Sequence, residues 1–161
     1  MQTENSSNLE LDNKWVIFFH DYMDSNWNRE SYEKLSEITN VVDFWTAFNI
    51  VKVKLSLGMF FFMKNNVFPK WDDNQNMKMS YMSIKILKAN AVEFMENILV
   101  YALTETLYND HPELINGISI SPKKNFCICK IWINSTDQIH KNIKNYKIPE
   151  DYHGDVIFND F

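Results

Sequence analysis

The spacing of apolar residues in this chain switches repeatedly between a period of two and a period of three to four, and the order of these switches constrains the fold more than any other feature. Short apolar runs and alternating segments predict strands, whereas apolar residues at i, i+3, i+4 and i+7 predict helices. The predicted order is β, β, α, β, β, α, β, β, α, β. Strand pairs separated by single helices indicate an α+β fold, with helices on one face of an antiparallel sheet and the other face free to bind.

Seven segments have the character of strands: residues 14–20, 32–39, 59–63, 82–87, 117–121, 126–134 and 155–161. Three segments have the character of helices: residues 41–51, 91–107 and 136–146. Asn40 is the predicted N-cap of the first helix, and the second helix contains neither Gly nor Pro. The third helix is polar, with Ile139 and Ile143 expected to face inward.

Length and composition fit a single globular domain. A chain of 161 residues with 45% hydrophobic residues can bury its own core. The polar residues 1–10 predict a disordered tail, and residues 11–161 form the predicted domain. No apolar run reaches the roughly 18 residues of a membrane span, and no basic leader precedes an apolar core. We therefore expect a soluble, cytoplasmic protein without a membrane partner.

Charge and cysteine content exclude several functional classes. The net charge of −5 is unsuited to a protein that grips nucleic acid mainly through its phosphate backbone. Cys127 and Cys129 are two residues apart on one strand face, which is poor geometry for a disulfide and too few ligands for zinc. The four histidines are scattered along the chain. We therefore expect no cofactor, no metal and no catalytic cluster.

Two tryptophans lie in polar, loop-like surroundings. Trp27 follows Ser25-Asn26, and Trp71 precedes Asp72-Asp73. Such loops offer an indole little apolar surface to pack against. Binding of a ligand with a flat face would explain why tryptophans occur there. Two rings could sandwich one planar cation, and Asp72 could read its edge. Without further information, packing within the core or a loop would explain these tryptophans equally well.

Several motifs together resemble the translation initiation factor 4E family of mRNA cap-binding proteins, over roughly residues 11–161. The motifs that carry the resemblance are Trp15 with Phe18-Phe19, the loop residue Trp27, Val41-Val-Asp-Phe-Trp45, Phe68-Pro-Lys-Trp71-Asp-Asp, and Asn116-Gly-Ile-Ser-Ile followed by Trp132. Their order and spacing are close to those of the family. The resemblance implies a curved antiparallel sheet backed by three helices, with the cap on the concave side, and it implies no catalysis.

The resemblance also assigns roles in reading the cap base. Trp27 and Trp71 would stack on the two faces of 7-methylguanine, whose delocalised positive charge strengthens the stacking. Asp72 stands where the family has a glutamate that accepts hydrogen bonds from the guanine edge, and it is one methylene shorter. Trp132 would lie against the N7-methyl group.

The predicted phosphate site departs from the family pattern. Lys123 matches a family arginine, but the other basic positions of the family align with Tyr81 and Ile128. Lys124 and Lys130 are the candidate substitutes, and Tyr81 is a possible additional nucleotide contact. A lysine lacks the bidentate fork of arginine, so we expect weaker or differently oriented phosphate binding.

The resemblance further implies a partner surface on the helices. Four residues fall near the place where the family docks an amphipathic helix of a 4G-type scaffold or of a 4E-binding repressor: Val41, Trp45, Leu99 and Val100. The expected partners are thus capped mRNA and one such protein, and the chain itself is expected to be a monomer.

Three alternatives remain open at the level of sequence. A general single-stranded RNA binder would also use aromatic platforms, but it would carry a basic groove. A protein of the same fold with weak or altered cap specificity could act as an interaction or repressor protein. A phosphohydrolase is disfavoured because the chain has no run of glutamates to hold metal ions.

Overall fold

A computed structural model describes residues 9–70, 72–73, 78–149, 152 and 154–161. The sequence predicts a disordered tail at residues 1–10, and residues 1–8 of it lie outside the described residues. The first strand begins at Glu10, within the predicted tail. The helices and strands, in chain order, are β1 (Glu10–Asp21), β2 (Glu33–Asn40), α1 (Val41–Val51), β3 (Gly58–Lys64), β4 (Ser80–Leu87), α2 (Ala91–Leu103), β5 (Ile115–Pro122), β6 (Phe126–Ile133) and β7 (Val156–Asp160).

The strands form one antiparallel sheet in the order β2-β1-β3-β5-β6-β4-β7. Alternate residues of each strand point to opposite faces. Trp15, Ile17 and Phe62 lie on the face that packs against α1 and α2. Phe61 and Trp132 lie on the other face, here called the open face, in a smaller apolar cluster. The seven predicted strands and the α+β class are therefore confirmed.

Both long helices follow from their sequences. The Asn40 side chain accepts a hydrogen bond from the Asp43 amide at 2.8 Å, which caps α1 as predicted. The buried residues of α1 and α2 recur at helical spacing and face the core. The second helix ends at Leu103, four residues earlier than predicted. Glu105 adopts a left-handed backbone conformation with φ of 60°, which does not continue a right-handed helix.

The third predicted helix is wrong, so two α-helices rather than three back the sheet in the described part of the chain. Residues 136–146 contain only two short 3₁₀ turns, Gln138–His140 and Ile143–Asn145. Asp137 and Asn142 each accept a hydrogen bond from a backbone amide two residues later, at 3.1 and 3.0 Å. These local bonds compete with helix formation. Ile139 is 67% exposed instead of facing inward.

A buried ion pair joins the end of β3 to the segment that follows α2. Lys64 is 5% exposed, and its ammonium donates to Glu105 Oε1 at 2.8 Å and to the Pro112 carbonyl at 3.0 Å. The Asn13 side-chain amide donates to the same carboxylate oxygen at 3.1 Å. Among the described residues, Glu105 is the carboxylate that forms an ion pair with Lys64.

The remaining expectations concern membranes and cysteines. Within the described residues, no helix has the length and hydropathy needed to cross a membrane. Cys127 and Cys129 are both buried as free thiols on the helix-covered face. Burial raises the pKa of the Cys127 thiol.

Candidate functional site

The exposed indole of Trp27 lies at one end of the open face. Its side chain is 45% exposed, and its ring stacks on the buried imidazole of His20 at 3.7 Å with an interplanar angle of 3°. His20 is held in turn by the Asn26 carbonyl, which lies 2.7 Å from Nε2. One face of the indole is thus covered from within. The opposite face is the one available to a ligand.

Trp71, the second predicted stacking residue, lies outside the described residues. Its neighbour Asp72 is exposed and forms an ion pair with Lys70. The hydrogen bond from Lys70 lowers the pKa of the Asp72 carboxyl below its usual value, so this group is a carboxylate at neutral pH. A carboxylate only accepts hydrogen bonds, which suits it to a ligand edge that presents N–H donors.

Arg29, the one arginine of the sequence, connects the Trp27 loop to the segment that carries Asp72. Its Nη1 donates to Asp73 Oδ2 at 2.5 Å, and its guanidinium carbon lies 3.8 Å from the centre of the Phe68 ring. Phe68 packs edge-on against Tyr32 at 5.1 Å. Sequence reasoning missed both Arg29 and His20, because neither contact follows from neighbouring positions in the chain.

Trp132 forms part of the floor of the open face. It is buried, and its indole N–H donates to Ser119 Oγ at 3.1 Å. Its ring contacts Phe61 at 6.3 Å and Phe161 at 4.9 Å. The hydrogen-bonding capacity of this indole is already satisfied, so Trp132 offers a ligand apolar contact only.

Ring contacts connect Trp132 to Trp27 across the open face. Trp27 meets Tyr32 at 6.1 Å, Tyr32 meets Phe61 at 5.6 Å, and Phe61 meets Trp132. The structure therefore connects two predicted base-reading residues, Trp27 and Trp132, through a continuous series of ring contacts.

Two of the three lysines predicted to hold phosphate, Lys123 and Lys130, line a cavity near Trp132. The cavity has a volume of about 240 Å³, and its lining includes Tyr81, Ser83, Ser121, Lys123, Ile128 and Lys130. The Lys130 ammonium lies 4.4 Å from the centre of the Tyr81 ring. Burial, and then the nearby charge of Lys123, lower the pKa of Lys130. Lys124 is exposed in the turn between β5 and β6 and does not line this cavity.

The residues predicted to dock a partner are only partly at the surface. Val41, Trp45 and Val100 are half-buried on the helices, and the Trp45 ring packs edge-on against Phe44 at 4.9 Å. Leu99 is fully buried in the core. Its predicted surface role is wrong, because its side chain has no exposed atoms to offer a partner.

Comparison with known families gives one clear match. The sequence model of the family described as "Eukaryotic initiation factor 4E" matches residues 10–152, which is most of the chain. No curated protein sequence matches the chain significantly.

Solved structures match at low identity but with good coverage. A structure of Ascaris suum eIF4E-3 with an m7G cap has a TM-score of 0.71 and 17% identity, covering 80% of this chain and 74% of that one. C. elegans eIF4E-3 with the 4E-binding protein Mextli and a cap analog gives 0.75 and 18%, covering 89% and 88%. A schistosome eIF4E with m7GpppA and 4E-BP gives 0.72 and 18%, covering 82% and 75%. At these identities the likeness establishes the fold.

Proposed function

Because the chain belongs to the eukaryotic initiation factor 4E family, we propose that it binds the 7-methylguanosine cap of mRNA on its open face. A helical protein partner binds the helix-covered face, and the two activities together recruit mRNA to translation initiation in the cytoplasm. No catalytic step belongs to this proposal. The observation that carries it is the available face of Trp27, which ring contacts connect to Trp132, together with the cavity near Trp132 that Lys123 and Lys130 line.

The protein recognises the cap base by the positive charge of its ring and by the hydrogen-bond donors on its edge. In this proposal the base stacks on the face of Trp27 that His20 leaves uncovered, and Trp71 closes the other side. A methylated base carries positive charge, and attraction of a cation to an aromatic ring contributes about 0.5 to 2 kcal/mol per ring. The Asp72 carboxylate accepts hydrogen bonds from guanine N–H groups. A base that lacks those donors would leave the carboxylate unpaired.

The cap phosphates occupy the cavity beside Trp132. Lys123 and Lys130 line this cavity together with the hydroxyls of Ser83 and Ser121. Two ammonium groups attract the triphosphate as point charges, and the hydroxyls supply further donors. Lys124, at the exposed turn, contributes from outside the cavity.

Titration of the tryptophan fluorescence of the whole chain tests the proposal, with 7-methyl-GTP and GTP as parallel ligands. Stacking on the indoles should quench the emission, and the methylated ligand should bind at least tenfold more tightly, since about 1.4 kcal/mol of cation attraction corresponds to that factor. Equal affinity for both ligands, or no response to either, would overturn cap recognition and favour an interaction or repressor protein.

The partner side of the proposal is supported by the exposure of the helix surface. Val41, Trp45 and Val100 retain exposed area on α1 and α2, away from the open face. Two of the structurally similar proteins were solved with 4E-binding proteins, Mextli and 4E-BP. We propose that an amphipathic helix of a 4G-type scaffold or of a 4E-binding repressor packs its apolar side against these residues.

Replacing Trp45 by alanine should weaken binding of such a helical peptide by roughly 30-fold, because a central tryptophan of an interface commonly contributes about 2 kcal/mol. Isothermal titration calorimetry measures the effect. Thr46→Ala, an exposed change on the same helix about 100° around the axis from Trp45, is the matched control and should leave the affinity unchanged. Binding of 7-methyl-GTP should be unaffected in both variants, and loss of both activities in Trp45→Ala would contradict two separate surfaces.

A further inference from the structure

Four lysines on and around the open face have no acidic partner in the described part of the chain. They are Lys85, Lys123, Lys124 and Lys130, and none of them takes part in an ion pair there. The chain as a whole carries a net charge of −5. A group of cations on one face of an acidic protein favours an anionic ligand there.

One of these lysines lies over an aromatic ring at the far end of β6. The Lys85 ammonium is 4.3 Å from the centre of the Phe126 ring. Leu87 stands directly opposite Phe126 in the β4–β6 register and is 64% exposed. Phe126, Leu87 and Lys85 thus form an apolar platform with a cation on it, here called the Phe126 platform.

The Phe126 platform is aligned with the proposed cap site but separated from it. Phe126 and Trp132 lie on the same face of β6, six residues apart, which corresponds to about 20 Å at 3.4 Å per residue. The cavity with Lys123 and Lys130 lies between them. A mononucleotide with its base near Trp132 and its phosphates in the cavity leaves the platform vacant. A nucleotide attached beyond the phosphates is placed to reach it.

We propose that the Phe126 platform stacks the base of the nucleotide that follows the cap triphosphate in a capped RNA. This inference rests on the proposed cap function and names a longer ligand for the same face. Aromatic rings stack any base without sequence preference, and the Lys85 ammonium moves from the ring to the phosphate that the nucleotide brings. The group of lysines on this face favours RNA, which is a polyanion, over a protein segment as the occupant.

Affinities of the whole chain for 7-methyl-GTP and for a short capped RNA with adenosine as its first nucleotide test the inference. Wild type should bind the capped RNA at least about fivefold more tightly, the lower end of what base stacking on an aromatic contributes. Phe126→Ala should lose this gain and keep its affinity for 7-methyl-GTP within twofold. Phe126→Trp should preserve the gain. Tyr101→Ala is the matched control, because Tyr101 lies on α2 with Lys147 near its ring at 5.6 Å.

Lys85→Gln gives an independent measurement. Loss of one phosphate contact should reduce the slope of log affinity against log salt for the capped RNA by about 0.7, and should not change the slope for 7-methyl-GTP. An unchanged slope for both ligands would contradict the role of Lys85.

The outcomes separate this inference from the cap function. If wild type binds 7-methyl-GTP but gains nothing from the added nucleotide, or if Phe126→Ala keeps the gain, the inference is wrong and the cap function stands. If wild type does not bind 7-methyl-GTP, the same RNA without a cap becomes the probe. Binding of that RNA that depends on Phe126 would support the stacking site alone, and binding that does not would overturn it.

Discussion

Replacing Trp27 by alanine should weaken binding of 7-methyl-GTP by roughly 30-fold, equivalent to about 2 kcal/mol. Stacking of a base on an aromatic ring contributes about 1 to 3 kcal/mol, and the positive charge of the methylated base adds to it. The variant retains Tyr32 and Phe61 beneath the site, so the rest of the aromatic surface should persist. Fluorescence quenching is less suitable here because the variant lacks the Trp27 fluorophore. Calorimetry with 7-methyl-GTP gives the affinity directly.

Two variants serve as controls for this prediction. Trp27→Phe keeps a smaller ring on His20 and should lose less affinity than Trp27→Ala. Trp71→Ala should cost about as much as Trp27→Ala, on the strength of the sequence motif that contains Trp71. If Trp27→Ala bound 7-methyl-GTP as tightly as wild type, the exposed indole would have no role in the ligand site and the proposed base position would be wrong.

Replacing Glu105 by alanine should reduce the free energy of unfolding by about 3 to 5 kcal/mol, because it leaves the buried Lys64 ammonium without its carboxylate. Within the described residues, the Pro112 carbonyl would remain as its hydrogen-bond acceptor, and the Trp15 ring lies 5.6 Å from the ammonium. Alanine keeps a Cβ at the left-handed backbone position, so the backbone conformation costs the same in both proteins. Urea denaturation followed by circular dichroism measures the change.

The exposed pair of Lys34 and Glu37 provides the comparison. Glu37→Ala removes a carboxylate from an ion pair in solvent and should change the unfolding free energy little. The double variant Lys64→Met/Glu105→Leu removes both buried charges and should recover most of the loss. A Glu105→Ala variant as stable as Glu37→Ala would show that the Lys64 charge is compensated in another way.

The strands and both long helices could be predicted because their signals are local. Alternation fixes which residues share a face, and this parity alone puts Lys130 and Trp132 together on the open face. The false helix at residues 136–146 has a local cause too. Asp137 and Asn142 close turns with nearby amides. The spacing of apolar residues does not reveal that such side-chain hydrogen bonds compete with helix formation.

The site was less accessible to sequence reasoning because its contacts join distant parts of the chain. The contact of Arg29 with Asp73 depends on how two loops approach each other, and the stack of His20 on Trp27 depends on how the loop after β1 folds back over that strand. Leu99 illustrates the opposite error. Its spacing from Met95 and Ala102 already assigns it to the buried side of α2, and the resemblance to the family led to the wrong surface role.

The ion pair of Arg29 with Asp73 couples the Trp27 loop to the segment that follows β3. Loops that close on a ligand independently must each give up their freedom when it arrives, and that lost entropy weakens binding. Here the guanidinium joins the Trp27 loop to Asp73 and lies over the Phe68 ring, contacts that involve residues of this chain alone. Part of the conformational freedom of the two loops is therefore lost when the chain folds, and not when the ligand binds. We expect a displacement of the segment after β3 to change the surroundings of Trp27 through Arg29, so that Trp27 fluorescence reports on both loops.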